Sequence, residues 1–479
     1  MKALRVVLRA FTLMFVLWAM FFAWLYTHTG LRKLIRRGLL RELPAGTPPP
    51  ATRVYEPLEN QRIVRRAFEF LGPSFIKLGQ IIASSPGLFP KRYSEEFQRC
   101  LDRVKPFRLD RLKATVAAEL GRPVHEVFAT FEDVPLGSAS IAQVHAATLT
   151  DGTEVVVKVQ RPGIRVVVDA DIWWMRRFAW LLDKLFKGAR LANVRGVIED
   201  FDRTIHEEID FKREAANLEQ FNMLMNKYGL SDVRAPCPTP GLVTVQVLTM
   251  ERFRGFKADD VAGIATTTLD PEVYLRKGLR AWLMTMMLDG FFHGDAHAGN
   301  LMLMPPSGAY PASVGFLDFG IIGRFTDLQR AQVMRYVLAF SAQDYAALAG
   351  VMSEMSALTQ KVDNDALVKD LARVYSPLVE KSFGEIRYEE IMPEITAMAF
   401  RHGIKLPSEF LLILKQLLFF DRYAKLSAPN LNVFSDFRLV DFLFSPLAMQ
   451  AKIDFNVLMP LLQRIRQRHV TKYGEPGAA

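Results

Sequence analysis

The stretch from Phe291 to Gly320 reads FFHGDAHAGNLMLMPPSGAYPASVGFLDFG and carries the pattern that decides the fold. Near its start is His293-Gly-Asp295, and Asn300 follows five residues after this aspartate. The stretch ends with Asp318-Phe-Gly320. An aspartate and an asparagine at this spacing are typical of a kinase catalytic loop, in which the aspartate accepts a hydroxyl proton and the asparagine binds Mg²⁺. The DFG aspartate completes such a metal site, because phosphoryl transfer needs the charge on the phosphate oxygens neutralised.

The residues between Asn300 and Asp318 predict a β-hairpin. Leu301–Met304 and Val314–Leu317 are apolar runs, and the segment between them contains two adjacent prolines and a glycine. A hairpin brings its two outer ends together, so we expect Asn300 and Asp318 to lie near each other as metal ligands. Asp295 is then the candidate catalytic base.

Length and composition limit the class of protein. A chain of 479 residues, half of them hydrophobic, is long enough for two lobes or two domains with extensions. The formal charge of +10 suits a partner that carries phosphate, or an anionic membrane surface. Nucleic acid is not expected as a partner, since no zinc-finger spacing or RNA-recognition signature is present. The two cysteines, Cys100 and Cys237, support neither a disulfide framework nor a structural zinc site.

The N-terminal segment predicts a membrane anchor. Ala10–Tyr26 contains no charged residue, and as a helix it would be about 26 Å long, close to the roughly 30 Å hydrocarbon core of a bilayer. A cleaved signal peptide is the alternative, but no small-residue cleavage pattern follows. Three basic residues precede the segment and five follow it, which predicts that the following part of the chain is cytoplasmic. These residues are Lys2, Arg5 and Arg9 before it, and Arg32, Lys33, Arg36, Arg37 and Arg41 after it.

A second phosphate-binding element is predicted between Leu136 and Val159. The pattern is strand, small-residue loop, strand, the turn Asp151-Gly152, and a third strand that contains Lys158 among valines. A lysine in this place is typical of the kinase VAIK element, which binds the α- and β-phosphates. The candidate nucleotide-binding residues of the loop are Leu136, Gly137, Ser138, Ala139, Ser140, Ile141, Ala142, Gln143 and Val144.

Kinases pair the strand lysine with a helix carboxylate. The helical segment Arg195–Lys227 offers four candidates, Glu207, Glu208, Asp210 and Glu214, and the pattern leaves the choice open. Leu242–Thr249 is predicted as a strand, and Met250 follows it where a hinge between lobes would bind adenine through backbone groups. Leu279–Leu288 is predicted as a buried helix that precedes the catalytic loop.

The remaining segments are predicted to be mostly helical. Helices are expected at Gln61–Ser85, at two short stretches within Phe107–Phe128, and at Leu328–Phe340, Asp363–Glu380, Met392–Arg401 and Ser408–Ala424. Leu43–Pro57 is a proline-rich connector. No APE element closes an activation segment.

With these motifs in place, the chain resembles the UbiB/AarF atypical kinase family over roughly Arg65–Arg324. Lys77-Leu-Gly-Gln80 is similar to the family's KxGQ motif, and Ser138–Ser140 to its alanine-rich loop. Glu208-Ile-Asp210 resembles its ExD motif, and Lys158 its VAIK lysine.

The resemblance implies a membrane-associated, ATP-binding kinase-like protein of the kind that often supports biosynthesis of ubiquinone or related prenyl lipids. It implies that the KxGQ helix packs across the mouth of the active site, where Lys77 can pair with Glu208 or Asp210. Glu208 is the candidate catalytic carboxylate of the ExD motif. Lys77, Gln80 and Asp210 would then act as gating residues that exclude protein substrates. One feature departs from the family: some bacterial members carry C-terminal spans, whereas this chain has its apolar segment at the N-terminus.

The predicted fold is α+β, a two-lobed protein-kinase-like fold with a helical N-terminal extension, a mostly helical C-terminal lobe and one N-terminal transmembrane helix. The predicted function is that of a membrane-anchored atypical kinase or ATPase that uses ATP and Mg²⁺. Its expected partners are membrane lipids, prenyl-lipid intermediates and quinone-biosynthesis proteins. A small-molecule kinase of the aminoglycoside or choline type and a nucleotide-sensing pseudokinase scaffold are the alternatives.

The predicted domains are an anchor (1–30), a basic and proline-rich connector (31–64), a KxGQ extension (65–130), an N-lobe (131–250), a C-lobe (251–460) and a basic tail (461–479).

Overall fold

The computed structural model describes residues 2–28, 60–83, 91–100, 104–186, 194–307, 311–355, 363–380, 388–404, part of 410–431, 436–450 and 454–474. The predicted connector Leu43–Pro57 lies outside these residues, and the predicted helix Ser408–Ala424 lies only partly within them. Internal contacts divide the chain into two compact units. The first unit is 1–146 with 158–209, and the second is 147–157 with 210–479. The domain boundaries drawn from the sequence remain predictions.

The described part of the first unit contains eight α-helices. They are α1 (Lys2–His28), α2 (Asn60–Leu71), α3 (Pro73–Ala83), α4 (Lys91–Phe97), α5 (Leu109–Leu120), α6 (Val124–Val127), α7 (Ile164–Leu185) and α8 (Val194–Glu208). Helix α1 packs on α2 and α7, α3 packs on α2, α4 and α7, and α7 packs along α8. The sequence predicts one helix over Gln61–Ser85, and this is wrong in one respect. Gly72 has a φ of 93° and Pro73 follows it, so the helix ends and a new one begins.

The glycine of the KxGQ segment is required by close packing. Ile76 and Ile82 of α3 lie in a buried cluster with Phe97 and Cys100. A Cβ added at Gly79 would lie 2.7 Å from a ring carbon of Phe97, which is itself 1% exposed. Since a buried ring cannot move aside freely, only glycine lets α3 approach α4 this closely.

The strands that follow form one six-stranded sheet. They are β1 (Phe128–Phe131), β2 (Gly137–Ser138), β3 (Ala142–Leu149), β4 (Glu154–Gln160), β6 (Pro238–Val243) and β7 (Val247–Glu251). Their order is β1-β3-β4-β7-β6, with β2 paired to β3. Strands β3 and β4 carry residues of both units. The predicted strand Leu242–Thr249 instead spans the end of β6, the turn and the first three residues of β7. The register of this hairpin shifts between Pro238 and Val243.

The second unit contains two further sheets. Their strands are β5 (Val233–Arg234), β8 (Phe256–Lys257), β9 (Phe291–His293), β10 (Leu301–Met304), β11 (Ser313–Phe316) and β12 (Ile322–Arg324). Four of them form a sheet in the order β5-β11-β10-β8, and β12 pairs with β9. Strands β10 and β11 are antiparallel, with Leu301 opposite Phe316 and Met304 opposite Ser313. The predicted hairpin is confirmed.

The described helices of the second unit are α9 (Phe211–Tyr228), α10 (Val261–Ile264), α11 (Pro271–Asp289), α12 (Asp327–Ser341), α13 (Tyr345–Met355), α14 (Asn364–Glu380), α15 (Tyr388–Arg401), α16 (Pro446–Gln450) and α17 (Phe455–Tyr473). The helix predicted at Leu279–Leu288 is the buried part of α11, and Trp282 at its centre is 0% exposed. The sequence missed α13. It also joined α8 and α9, which are separate helices because Asp210 has extended backbone angles and caps α9 through the amide of Lys212.

A histidine between two carboxylates links α7 to α8. Nε2 of His206 lies 3.0 Å from a carboxylate oxygen of Asp169, and Nδ1 lies 2.9 Å from the carbonyl oxygen of Asp202. Burial lowers the pKa of His206, but the hydrogen bond with Asp169 and the charges of Asp202 and Asp169 outweigh it and raise the pKa above the ordinary value.

We expect this histidine to stabilise the fold at low pH only. A raised folded-state pKa gives stability that is complete below the unfolded pKa, about 6.5, and that is lost as the pH rises through the folded value. Replacing His206 by Gln should therefore lower the free energy of unfolding at about pH 5.5 and change it much less at about pH 9. Denaturation in detergent at both pH values measures this. The exposed His125, changed to Gln, is the control, and an equal loss at both pH values for H206Q would contradict the prediction.

Candidate active site

The hairpin of β10 and β11 joins the two halves of the predicted metal site. The amide of Leu317 donates a 2.8 Å hydrogen bond to the carbonyl oxygen of Asn300, so the residues that begin and end the hairpin are paired directly. The Nδ2 of Asn300 donates to the carbonyl oxygen of Asp295 at 2.9 Å. Because the amide nitrogen is used in this way, the side-chain oxygen is the atom that Asn300 offers to a cation. Asn300 and Asp318 are therefore brought together as the sequence predicts.

His293 connects the catalytic loop to the strand that precedes the DFG motif. Its Nε2 donates to the carbonyl oxygen of Leu317 at 3.0 Å, and its Nδ1 accepts a hydrogen bond from the amide of Asp295 at 3.1 Å. This pair of contacts requires the neutral ring with the proton on Nε2. The ring is 1% exposed, and burial lowers its pKa, so it stays neutral at physiological pH. His293 thus positions the backbone of Asp295.

A buried glutamine holds the catalytic loop from the other side. The Nε2 of Gln416 donates to the carbonyl oxygen of Gly294 at 2.7 Å, and its Oε1 accepts from the amide of Ala296 at 2.8 Å. The side chain is 0% exposed. Both hydrogen bonds flank Asp295, which fixes the backbone on each side of the predicted base. No local sequence pattern indicates this role, since Gln416 is 120 residues away from the loop that it contacts.

The DFG segment has an unusual backbone that α9 supports. Asp318 has a φ of 54°, one of two positive values at non-glycine residues in the described part of the chain. The following Phe319 is 0% exposed and packs its ring 5.0 Å from Phe221 and 4.8 Å from His293, measured between centroids. The Nδ2 of Asn217 donates to the carbonyl oxygen of Phe319 at 3.1 Å. The buried phenylalanine and this hydrogen bond hold Asp318 in a conformation that it would seldom adopt alone.

In the first unit, the small-residue loop is a tight hairpin. Gly137 pairs with Val144 and Ser138 with Gln143, while the amide of Ala139 donates to the carbonyl oxygen of Ala142 at 2.9 Å. None of the loop residues Gly137–Ile141 has a positive φ. The loop therefore does not use the left-handed conformations that a glycine-rich loop allows.

Arg161 clamps this loop from the end of β4. Its Nε and NH2 donate to the carbonyl oxygen of Ala139 at 3.1 and 2.9 Å, and NH2 also donates to the hydroxyl of Ser138 at 3.1 Å. The guanidinium carbon lies 5.4 Å from the ring centroid of Phe107. Burial lowers the pKa of Arg161, but an arginine remains charged at any physiological pH. Sequence reasoning missed this residue, although it directly follows the lysine strand.

The strand that carries Lys158 is ordered by alternation. Val155, Val157 and Val159 are 0–1% exposed and face the core, which places Lys158 on the opposite face of β4 with partial exposure. Two residues further on, the side chain of Gln160 donates to the carbonyl oxygen of Ile209 at 2.7 Å. This hydrogen bond ties β4 to the centre of the predicted ExD motif. The predicted pairing of Lys158 with a carboxylate of the helical segment remains a prediction.

The KxGQ lysine is paired with the ExD glutamate. The Nζ of Lys77 lies 2.5 Å from Oε1 of Glu208, and both side chains are more than four-fifths buried. Sequence analysis allowed Lys77 either Glu208 or Asp210 as a partner. Asp210 instead appears at the beginning of α9, where it is the N-cap. The other predicted residues lie as follows: Gln80 is part-buried on α3, and Met250 is 7% exposed on β7.

The donor set fits Mg²⁺ better than a transition metal. No group of three or more His, Cys, Asp or Glu side chains that could hold a metal ion occurs among the described residues. Asn300 and Asp318 supply one amide and one carboxylate oxygen, and Mg²⁺ typically takes one or two protein oxygens and completes its shell with water and phosphate. The residues present therefore suit a metal that arrives with a nucleotide.

The comparison with known families decides between the kinase classes. The model of the ABC1 atypical kinase-like domain matches residues 99–352, a range that includes the small-residue loop, Lys158, the ExD motif, the catalytic loop and the DFG motif. The chain belongs to the ABC1 atypical kinase-like family. The UbiB/AarF resemblance is thereby confirmed, and so is the α+β kinase-like fold.

Members of this family from distant organisms are similar over most of their length. An uncharacterized protein of Mycobacterium tuberculosis is 38% identical over 388 residues, which cover 80% of this chain and 78% of the relative. An uncharacterized chloroplastic aarF domain-containing protein kinase of Arabidopsis thaliana is 34% identical over 401 residues, 78% of this chain and 73% of the relative. A probable protein kinase UbiB of Marinobacter nauticus is 33% identical over 373 residues, 78% of this chain and 68% of the relative.

We expect Gln416 to be essential for the shape of the catalytic loop. Changing Gln416 to Leu leaves the amide of Ala296 and the carbonyl of Gly294 without their buried partner, at a cost of about 1–3 kcal/mol for each group. Chemical denaturation should show this loss of stability. The matched control is Gln463→Leu, at an exposed position of α17, which should leave stability nearly unchanged. A Q416L variant as stable as the wild type would show that the loop does not depend on this side chain.

Proposed function

We propose that this protein transfers the γ-phosphoryl group of Mg-ATP, as an atypical kinase or as an ATPase. The observation that supports the proposal is the hairpin of β10 and β11, in which the amide of Leu317, next to Asp318, donates a 2.8 Å hydrogen bond to the carbonyl oxygen of Asn300. Asn300 and Asp318 would hold Mg²⁺, which neutralises charge on the phosphate oxygens. Asp295 would accept the proton of the attacking hydroxyl group or orient an attacking water.

The residues of the first unit would bind the rest of the nucleotide. Lys158 would contact the α- and β-phosphates, with Glu208 orienting it, and the loop Leu136–Val144 would cover the phosphates. Arg161 donates a hydrogen bond to the carbonyl oxygen of Ala139 and so holds the loop in one conformation. This supports the proposed role of the loop. Backbone groups next to Met250 would bind adenine.

The KxGQ helix is proposed to gate the acceptor side. Lys77, Gln80 and Asp210 are the proposed gating residues, and the ion pair between Lys77 and Glu208 supports a link between α3 and the ExD motif. Glu208 would then take part in two interactions, one with the gate and one with Lys158. A gate of this kind would disfavour protein substrates.

The acceptor is proposed to come from lipid metabolism. Relatives named UbiB support a role in prenyl-lipid metabolism of the ubiquinone type, with prenyl-lipid intermediates or quinone-biosynthesis proteins as partners. Helix α1 supports a place at the membrane, since Val6–Tyr26 is long and apolar enough to cross one, a property that signal sequences share. The sequence-based form of this proposal is a single-pass N-terminal anchor with the catalytic body in the cytoplasm. A small-molecule kinase is less well supported, because a kinase of that type needs neither the KxGQ helix nor the apolar helix α1.

Mg-ATP should stabilise the folded protein through Asp318. Nucleotide at about 100 times its dissociation constant should add roughly 2.7 kcal/mol to the free energy of unfolding. Thermal melts in detergent, with and without Mg-ATP, measure the shift. Asp318→Ala should lose most of it, while Asp327→Ala, at a side chain that is 92% exposed, should keep it. An identical shift in wild type and D318A would reject Asp318 as the metal ligand.

Asp295→Asn should separate turnover from binding. The change removes the base and keeps the shape of the side chain, so we expect the rate of ATP consumption to fall by about two to four orders of magnitude. The thermal shift with Mg-ATP should persist, because Asp295 is not a proposed metal ligand. Release of phosphate and phosphoryl transfer to lipid extracts are the measurements. Undiminished turnover in D295N would exclude Asp295 as the base or water-orienting residue.

A further inference from the structure

The beginning of α1 is bound to the body of the first unit. The guanidinium group of Arg9 donates to both carboxylate oxygens of Asp171 on α7 and to the carbonyl oxygen of Leu71 at the end of α2. Asp171 is 0% exposed. The indole nitrogen of Trp174 donates to the carbonyl oxygen of Val6 at 3.1 Å. These contacts hold the first turns of the apolar segment against α2 and α7.

Chain connectivity makes these contacts incompatible with a single crossing of the membrane. The body follows α1 in sequence, so a crossing by Val6–Tyr26 would leave Arg9 on the face opposite to Leu71 and Asp171. The chain would have to cross back between residues 29 and 59 to restore the contacts. That stretch contains five basic residues within 32–41 and three consecutive prolines, and its sequence has no apolar run of the roughly 20 residues needed.

The exposure of α1 follows the same arrangement along its length. Leu13, Met20 and Ala23 are partly covered and Val16 is 5% exposed, at the spacing of one helical face. The opposite face is apolar and open, and its four aromatic side chains are between 55 and 64% exposed. These are Phe11, Phe15, Trp18 and Phe22. One side of the helix therefore contacts protein, and the other side presents a continuous apolar surface.

Helix α7 lines a groove with α1, at Trp173 and Trp174, and carries exposed apolar side chains of its own. Phe178, Trp180 and Leu185 are 53–62% exposed near its C-terminal end. Cations lie beside its indole rings, with Lys184 5.3 Å from the centroid of Trp180 and Arg177 over Trp173. Tryptophan, aliphatic side chains and lysine or arginine together are the composition of helices that lie at the headgroup level of a bilayer. An anionic lipid surface is the partner that fits this mixture, since it satisfies both the apolar side chains and the cations.

We propose that α1 does not cross the membrane but lies along its cytoplasmic face, where α1 and the C-terminal half of α7 form one monotopic surface that enters a single leaflet. This inference rests on the proposed membrane attachment and changes its geometry. It also accounts for the distribution of charge, because Lys2, Arg5 and Arg9 and the basic residues after α1 then all remain on the cytoplasmic side.

The decisive experiment locates both ends of α1 relative to the membrane. Full-length protein is expressed as Lys2→Cys and, separately, His28→Cys, each in a Cys237→Ser background. A membrane-impermeant maleimide is applied to sealed inside-out and right-side-out vesicles. The native Cys237, exposed on the body, marks the side of the body in the wild type.

In the proposed arrangement, both new cysteines are labelled in the vesicles that expose Cys237 and are protected in the others. Labelling of Lys2→Cys and His28→Cys from opposite sides would overturn the inference and leave membrane attachment intact. Recovery of the protein in the soluble fraction without detergent would overturn both. The results therefore distinguish a failure of the arrangement from a failure of the attachment.

The second experiment tests the contact of α7 with lipid. A Trp18→Phe/Trp24→Phe variant removes the tryptophans of α1, and it is reconstituted into anionic vesicles with or without brominated acyl chains. We expect quenching of the remaining fluorescence, and a clear loss of that quenching on adding Trp180→Phe. Trp173, Trp174 and Trp282, of which Trp282 is 0% exposed, supply the fluorescence that remains in that variant. Equal fluorescence in brominated and plain vesicles would show that α7 does not enter the leaflet.

Discussion

The geometry of the second unit depends on one buried imidazole. His293 accepts a hydrogen bond from the amide of Asp295 and donates one to the carbonyl oxygen of Leu317, so that a single ring spaces the catalytic loop from the DFG strand. Both interactions need the neutral tautomer, and burial supplies it by lowering the pKa of the ring. A charged ring would place a second N–H against the amide of Asp295 and break the pair. The neutral ring thus adds to the Leu317–Asn300 hydrogen bond in holding the catalytic loop beside the DFG strand.

The first unit is organised around an ion pair instead of a neutral hydrogen bond. Lys77 and Glu208 are both largely buried, and a buried pair contributes little net stability, while the loss of one partner costs about 3–5 kcal/mol. Such a pair therefore fixes which helices meet more than it strengthens the fold. Gly79 acts in the same direction, because its missing side chain lets α3 approach Phe97. The KxGQ motif thus has a structural reason for two of its positions before any gating role is considered.

The sequence predicted what depends on local pattern. The hairpin after Asn300 follows from two apolar runs and a turn, and the strand that contains Lys158 follows from alternating valines. Positions supported from a distance could not be predicted in this way. Gln416 and Asn217 contact backbone atoms more than a hundred residues away, and nothing in their own surroundings distinguishes them from other polar side chains on helices. The left-handed backbone of Asp318 was equally hidden, since it results from the packing of its neighbours.

The path of α1 shows the same limit of local pattern at the scale of the whole chain. A helix that is apolar on every face is predicted to cross a membrane, because in that reading all faces meet lipid. A helix held between protein and lipid has the same composition, since one apolar face packs on the body and the other enters the acyl chains. Hydropathy cannot separate the two arrangements. The ion pair of Arg9 separates them. A guanidinium group paired with the fully buried carboxylate of Asp171 must lie on the same side of the membrane as the body.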